Sequence, residues 1–299
     1  MSAGNTFQDK VKFIEKVSGE LDSTIGNLAQ GLSYSIISEF IDQLERDGDT
    51  IKNTPANIRL ISQIDAIYQS FIDKNGAKLV DQITGNVNSI FDFNDTYFSE
   101  VKGKGFDIPS KKITGIIRDR LGFSGDTRVK LKEGGYMEAL LKDTTVRNEI
   151  KQISYREVLK GSGFKGFKKA MQNYIAGDEE KLGAFRRHYR QYTYDIYSTI
   201  DRDQSLLMAN ELNLQYFIYG GTLVAKSRDF CIERAGKVFS TEEASQWVKD
   251  PWIKKHLENG SITSYNPITD MGLFGCRHTP RFISYEQAIR LRPDLKKDK

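Results

Sequence analysis

The feature that most constrains this chain is an apolar repeat that begins almost at its first residue. Phe7, Ile14, Leu21 and Leu28 recur every seven positions, and Val11, Ile25 and Leu32 fill the intermediate series, with Ser18 as its one polar member. A repeat of this kind places one apolar seam along a helix. Beyond four heptads it drifts to Ile36, Phe40 and Leu44, and Gly19, Gly26 and Gly31 each weaken the helix by up to ~1 kcal/mol relative to alanine. A seam this apolar on a helix this weak needs a partner, and residues 7–32 are expected to self-associate or to pack on the helices at 54–98. Asp47-Gly48-Asp49 ends the first helix, and Thr54-Pro55 opens the next with an N-cap residue followed by proline. Ile58, Ile61, Ile64, Tyr68, Phe71 and Ile72 give that helix its stripe. Gly76 follows, and a further helical stretch carries Leu79, Ile83, Val87 and Phe91.

From about Gly103 to Gly135 the chain is richer in glycine and charge, with Phe106 to Ser110 and Gly122 to Asp126 reading as turns around a short helix. Helical patterning returns at 145–159, at 163–175 and from Asp178 toward Leu212, where Tyr189, Tyr192, Tyr194, Ile196 and Tyr197 are crowded as core residues are. After 213 the texture changes. Tyr216 to Tyr219 and Thr222 to Ala225 are β-prone runs separated by Gly220-Gly221, which predicts a tight hairpin. Ser240-Thr241-Glu242-Glu243 is a capping box, Ser284 to Gln287 opens another short helix, and 259–279 is loop-rich. The predicted fold is therefore α+β, predominantly α: a helical region 1–102, a linker or exposed subdomain 103–136, a basic helical region 137–212 and a small mixed α/β module 213–299.

Charge is uneven along the chain. Residues 1–100 carry 8 Lys/Arg against 15 Asp/Glu, a balance of −7, whereas residues 101–200 carry 21 against 12, a balance of +9. Lys165, Lys168, Lys169, Arg186, Arg187 and Arg190 lie among aromatic residues in this basic middle. They are candidates for a salt-sensitive contact with DNA or an acidic protein surface, or else a solvated helix face. No run approaches the ~18 apolar residues of a membrane helix, and no leader pattern opens the chain, so it is expected to be made in the cytoplasm, with no membrane partner.

Two cysteines are too few for a disulfide scaffold. Cys231, His256, Cys276 and His278 supply two sulfurs and two imidazoles, a set that zinc accepts. The alternatives are thiols packed in a small core, with Arg228, Arg277 and His278 bound to loop carbonyls and carboxylates, or a Cys231–Cys276 disulfide formed in an oxidising medium. In either packed form no cofactor is needed. A catalytic reading has little to stand on: Cys/His with Asp229 or Asp270, or a metal-dependent nuclease built on His256, Asp270 and His278. Phosphate-loop, nucleophile-elbow, His-Glu-X-X-His and dinucleotide motifs are all missing.

The order and spacing of one residue series is specific. Arg228-Asp229-Phe230-Cys231 leads into Gly236-Lys237-Val238-Phe239, then Glu242-Glu243, and ends on Gly275-Cys276-Arg277-His278. Over residues 213–283 this series resembles the C-terminal module of the phage Mu F-like head morphogenesis (minor capsid) family. That family often ends on His-X-X-Cys-Arg-Cys; here Phe274 and Gly275 precede Cys276, and His278 takes the second position, which leaves metal binding open. The resemblance implies a structural protein and not an enzyme, made in the host cytoplasm and built into the virion head. Its partners would be the portal and other capsid proteins, with contact to packaged DNA. The rival reading is a nucleic-acid-binding protein acting outside any particle, which the basic middle would support.

Overall fold

A computed structural model describes residues 3–103, 109–124, 130–131, 133, 135–193 and 195–297. The fold is α+β and predominantly α, with twelve α-helices and three small antiparallel sheets among the described residues. The chain divides into two compact units, one of residues 1–18, 85–120 and 194–299, the other of 19–84 and 121–193. Each is assembled from separated stretches, so neither follows the sequential boundaries at 102, 136 and 212. Helices α1 (Ala3–Glu39) and α2 (Pro55–Lys102) contribute residues to both.

In the first unit the start of α1 lies against the end of α2. The rings of Phe7 and Tyr97 are 6.0 Å apart and those of Phe13 and Phe93 5.4 Å. The seam is thus covered within the chain, the second of the two expected outcomes. Its buried positions are Phe7, Lys10, Ile14, Val17, Leu21, Ile25, Ala29, Leu32, Ile36 and Phe40. They step by three or four, closer to the 3.6 of a straight helix than to a heptad, and so Leu28 is only half-buried and Ala29 takes the inner place. In the second unit Gly31 lies under Phe71, whose ring carbon would stand 3.1 Å from an added Cβ. Glycine here gives α1 and α2 a close approach.

The expected N-cap at Thr54 is present: its hydroxyl accepts from the Asn57 amide at 3.2 Å. Buried Asn57 fastens the preceding ribbon, β1 (Arg46–Asp47) and β2 (Thr50–Ile51), by donating to the carbonyls of Glu45 and Lys52. Gly76 does not divide α2. An added Cβ there would come within 3.1 Å of Leu141, so the position is small for packing, and the helix continues to Lys102.

Between 103 and 136 lie α3 (Ser110–Leu121) and a ribbon of β3 (Phe123–Ser124) with β4 (Lys130–Leu131). The expected turns at Phe106–Ile108 and Gly125–Asp126 fall outside the described residues. There follow α4 (Tyr136–Lys142), α5 (Thr145–Lys160), α6 (Phe164–Ala176), α7 (Ala184–Thr193) and α8 (Ile196–Glu211). One long helix was expected from 178 to 212; it is two, with Asp195 at the N-cap position of α8. Tyr189 and Tyr197 are buried, as core residues should be, while the side chains of Tyr192 and Tyr194 lie outside the described residues.

The C-terminal sheet differs from the expected hairpin. Strand β5 (Tyr216–Gly220) is central, flanked by β6 (Val238–Ser240) and β7 (Thr279–Ile283), both antiparallel to it. Thr222 to Ala225 form no strand. Gly220-Gly221 serves close packing rather than a two-residue turn. A Cβ on Gly220 would stand 2.5 Å from Phe7, and Gly221, at φ +127°, would place one 2.9 Å from the His278 Cα. Alternation along β5 sends Phe217 and Tyr219 to one face, against Trp247, and Tyr216 and Ile218 to the other, against Val238, Ile283, Ala288 and Leu295. Short helices α9 (Asp229–Arg234), α10 (Thr241–Ser245), α11 (Pro251–Glu258) and α12 (Tyr285–Leu291) surround the sheet. The Ser240–Glu243 capping box forms with both of its hydrogen bonds, at 2.8 and 3.0 Å.

Candidate functional site

Tyr219, at the inner end of β5, supports a buried cluster drawn from three parts of the chain. Cys231 comes from α9, and Cys276 and His278 from the segment entering β7. The Cys231 and Cys276 sulfurs are 3.9 Å apart, and Cys276 Sγ is 3.6 Å from His278 Nδ1. The Tyr219 hydroxyl donates to Cys231 Sγ at 3.4 Å and lies 3.7 Å from Cys276 Sγ. Both cysteines are free thiols. The Tyr219 and His278 rings face each other with centroids 4.8 Å apart.

The loop that carries Cys276 is fixed from beneath by α8. Arg202, 2% exposed, donates to the His278 carbonyl at 2.9 Å, to the Thr269 carbonyl at 3.3 Å and to the Cys276 carbonyl. Asp195 accepts from the Gly275 amide at 2.7 Å. Next to Arg202 on α8, Asp201 accepts from the Thr279 hydroxyl at 2.5 Å and pairs with Lys10 at 2.7 Å, both side chains being fully buried. Asn94 bridges Lys10, Asp201 and Gln204. Within the loop, Asn266 caps Ile268 and Thr269, and Met271 and Leu273, on either side of Gly272, take positive φ of 47° and 67°. Such backbone costs on the order of 1–3 kcal/mol per residue and persists only where surrounding contacts impose it.

The thiols are inequivalent. Cys276 is pushed well below the ordinary thiol range, first by the hydrogen bond from Cys231 and further by His278 and Arg202. Cys231 is pushed up by sharing its proton with Cys276 and by burial. Burial also raises Tyr219, which stays a neutral donor. Asp195 is raised by burial, against the pull of the Gly275 amide.

The series noted in the sequence is distributed around this cluster. Arg228 reaches the Phe274 carbonyl. Asp229 is exposed in the first turn of α9. Gly236 and Lys237 are exposed and act through backbone: the Gly236 amide donates to the Tyr219 carbonyl at 2.9 Å, and the Lys237 carbonyl accepts from Tyr219 at 3.0 Å. Two expectations are corrected. Arg277 is exposed and makes no anchoring bond of the kind expected among the described residues; Arg202 has that role. His256 is not part of the set: its Nδ1 lies 2.8 Å from the Trp252 carbonyl on its own helix, and among the described residues the group that could hold a metal is Cys231, Cys276 and His278. Arg202 and Tyr219 were missed in the sequence: the apolar spacing of Tyr197, Ile200 and Met208 places Asp201 on the buried face of α8, but Arg202 lies on another side of the helix that is buried as well.

A pocket of about 350 Å³ opens over the cluster, lined by Val224, Lys226, Arg228 and Arg277 together with Cys231, Cys276 and His278. The six basic residues singled out in the sequence belong to the second unit. There Lys168 pairs with Asp42 at 2.7 Å, Arg186 with Asp22 at 2.5 Å and Arg190 with Asp22 at 4.0 Å, while Lys165, Lys169 and Arg187 are exposed. No helix is long and apolar enough to cross a membrane among the described residues. Comparison with protein-family models, curated proteins and solved structures returns no match.

Proposed function

We propose that this chain is a structural minor head protein of a tailed phage, of the Mu F-like type, that acts in head morphogenesis with the portal and touches packaged DNA. No catalytic role is assigned to its C-terminal cluster. The observation that carries the reading is the meeting of the two stretches on which the resemblance rests: Cys231 and Cys276, forty-five residues apart, come within 3.9 Å, and Gly236-Lys237 bind the same strand as Tyr219. Stretches alike by chance in order and spacing carry no requirement to converge. The surroundings suit a structural role, since Arg202 and Asp195 bind loop backbone and Asp201 binds Thr279 and Lys10, none of them facing an open cleft.

The test is composition of particles. Heads purified from a lysate of the phage or prophage carrying this gene should contain the chain in far fewer copies than the major capsid protein, and heads made without the portal should lack it. A chain absent from heads and found only in the soluble lysate refutes the reading. If that same protein binds duplex DNA with a steep salt dependence through Lys165, Lys169 and Arg187, the extra-particle DNA-binding alternative replaces it.

A further inference from the structure

We infer that Cys231, Cys276 and His278 bind one zinc ion, with three protein ligands and a fourth position open to the pocket above them. The inference is independent of the head-protein reading and rests on four observations.

The first is geometry. Zinc–sulfur bonds of about 2.3 Å and zinc–nitrogen bonds of about 2.0–2.1 Å in a tetrahedron set ligand edges of about 3.8 Å between sulfurs and about 3.6 Å from sulfur to nitrogen. The two edges here are 3.9 Å and 3.6 Å, and all three donor atoms lie within 4.8 Å of one another.

The second is space. Gly272 packs directly against the sulfurs: a Cβ there would stand 2.5 Å from Cys231 Sγ, 3.2 Å from Cys276 Sγ and 3.5 Å from the Tyr219 hydroxyl. With no side chain at Gly272 the loop backbone passes close over both thiols, where any larger residue would collide with Cys231 Sγ, and the flanking residues Met271 and Leu273 are held in left-handed backbone.

The third is an imbalance. His278 is 3% exposed, its Nδ1 has only the long approach to Cys276, and its Nε2 is buried with no hydrogen-bond partner among the described residues. The 3.6 Å approach to Cys276 is too long to be a strong hydrogen bond, so neither nitrogen of this buried ring has a good protein partner, and a metal on Nδ1 would supply the bond that the ring lacks there. Two thiolates and a neutral imidazole around a divalent ion also carry no net charge, so the loaded site is compatible with burial. Tyr219 donating to Cys231, and Arg202 fixing the carbonyls of Cys276 and His278, orient the ligands from outside.

The fourth is access. The pocket is lined by all three ligands, which gives an entry path and an exogenous fourth ligand, such as water or a small anion near Lys226, Arg228 and Arg277. Three protein ligands and an open position distinguish this site from closed four-ligand structural sites.

The experiment uses the full-length protein, purified without chelator from zinc-supplemented medium and assayed by elemental analysis. One zinc per chain is expected, and both thiols should resist a disulfide reagent until a chelator removes the ion. This second readout needs no variant and so survives any folding defect. His256→Ala should keep its zinc, while Cys231→Ser and Cys276→Ser lose it. Cobalt-loaded protein should show thiolate charge transfer with tetrahedral visible bands that azide shifts. Native protein with no zinc and two promptly reactive thiols overturns the site, as does His256→Ala losing as much metal as Cys276→Ser. A cobalt spectrum indifferent to azide overturns the open position.

Discussion

Replacing Arg202 tests whether the loop carrying Cys276 is held from α8. The guanidinium is 2% exposed and forms no ion pair with a carboxylate among the described residues; its charge is met by the carbonyls of Thr269, Cys276 and His278. A hydrogen bond from a charged donor contributes roughly 1.5–3 kcal/mol, and a carbonyl left buried without a partner costs roughly 1–3 kcal/mol. Truncation also relieves the cost of burying the cation, and water reaches part of the vacated space, so the net loss for Arg202→Ala is about 3–5 kcal/mol, at the upper end for single substitutions. Arg202→Lys keeps the charge but replaces a planar fork by a single ammonium that cannot span three carbonyls, and should cost about 1–3 kcal/mol. Denaturant unfolding in reducing buffer gives the magnitude. Hydrogen exchange gives the location: amides of 266–278 should lose protection, while those of α5 and α6 in the other unit keep theirs. If Arg202→Ala leaves both the midpoint and the exchange of 266–278 unchanged, Arg202 does not hold the loop.

Lys10→Met should destabilise by about 3–5 kcal/mol, because it leaves the buried Asp201 carboxylate without its cation. The double variant Lys10→Met/Asp201→Asn should recover part of that loss, a coupling that a double-mutant cycle measures directly. Asp195→Asn keeps an acceptor for the Gly275 amide and removes a carboxylate whose pKa is raised by burial. The folded chain holds that proton more tightly than the unfolded one, so stability falls as pH rises from the ordinary carboxylate value, about 4, through the folded value; the variant should lack this slope in pH-dependent unfolding. A fragment of residues 213–299 should show the narrow amide dispersion of an unfolded chain by NMR, since it lacks Lys10, Tyr97, Asp195 and Arg202.

The sequence was most legible where a local rule acted without competition. Thr54-Pro55 opens a helix and Ser240–Glu243 caps one because their hydrogen bonds close within four residues. It was least legible where glycine had two uses. Gly220-Gly221 carries the composition of a tight turn, yet its smallness serves the approach of Phe7 and His278, and the partners that claim β5 come from 238–240 and 279–283. Gly76 likewise looks like a break and is instead a seat for Leu141. At the cluster, Cys231, Cys276 and His278 stood out as residue types, but the fourth member was misassigned. His256 shares their chemistry, whereas the residues that orient them, Tyr219 and Arg202, have no rarity to mark them, and their burial becomes evident only once β5 and α8 are packed.

That packing also draws on more of the chain than the stretch that carries the resemblance. The resemblance spans 213–283, but its supporting contacts lie upstream: Phe7 fills the space left by Gly220, the Tyr97 hydroxyl donates to the Phe282 carbonyl, and Lys10 neutralises the Asp201 that binds Thr279. The beginning of α1 and the end of α2 therefore serve as the floor of the C-terminal sheet, and a buried ion pair is a sensitive joint for that purpose, because either partner alone is costly. A change at the first residues of the chain should consequently register at Cys276 through Asp201 and Thr279, without any contact between the two. The same dependence gives Lys10 its place: Phe7 packs on Gly220 of the sheet and Lys10 pairs with Asp201 of the helix beside it, whereas an apolar heptad leaves a buried lysine in the seam without a reason to be there.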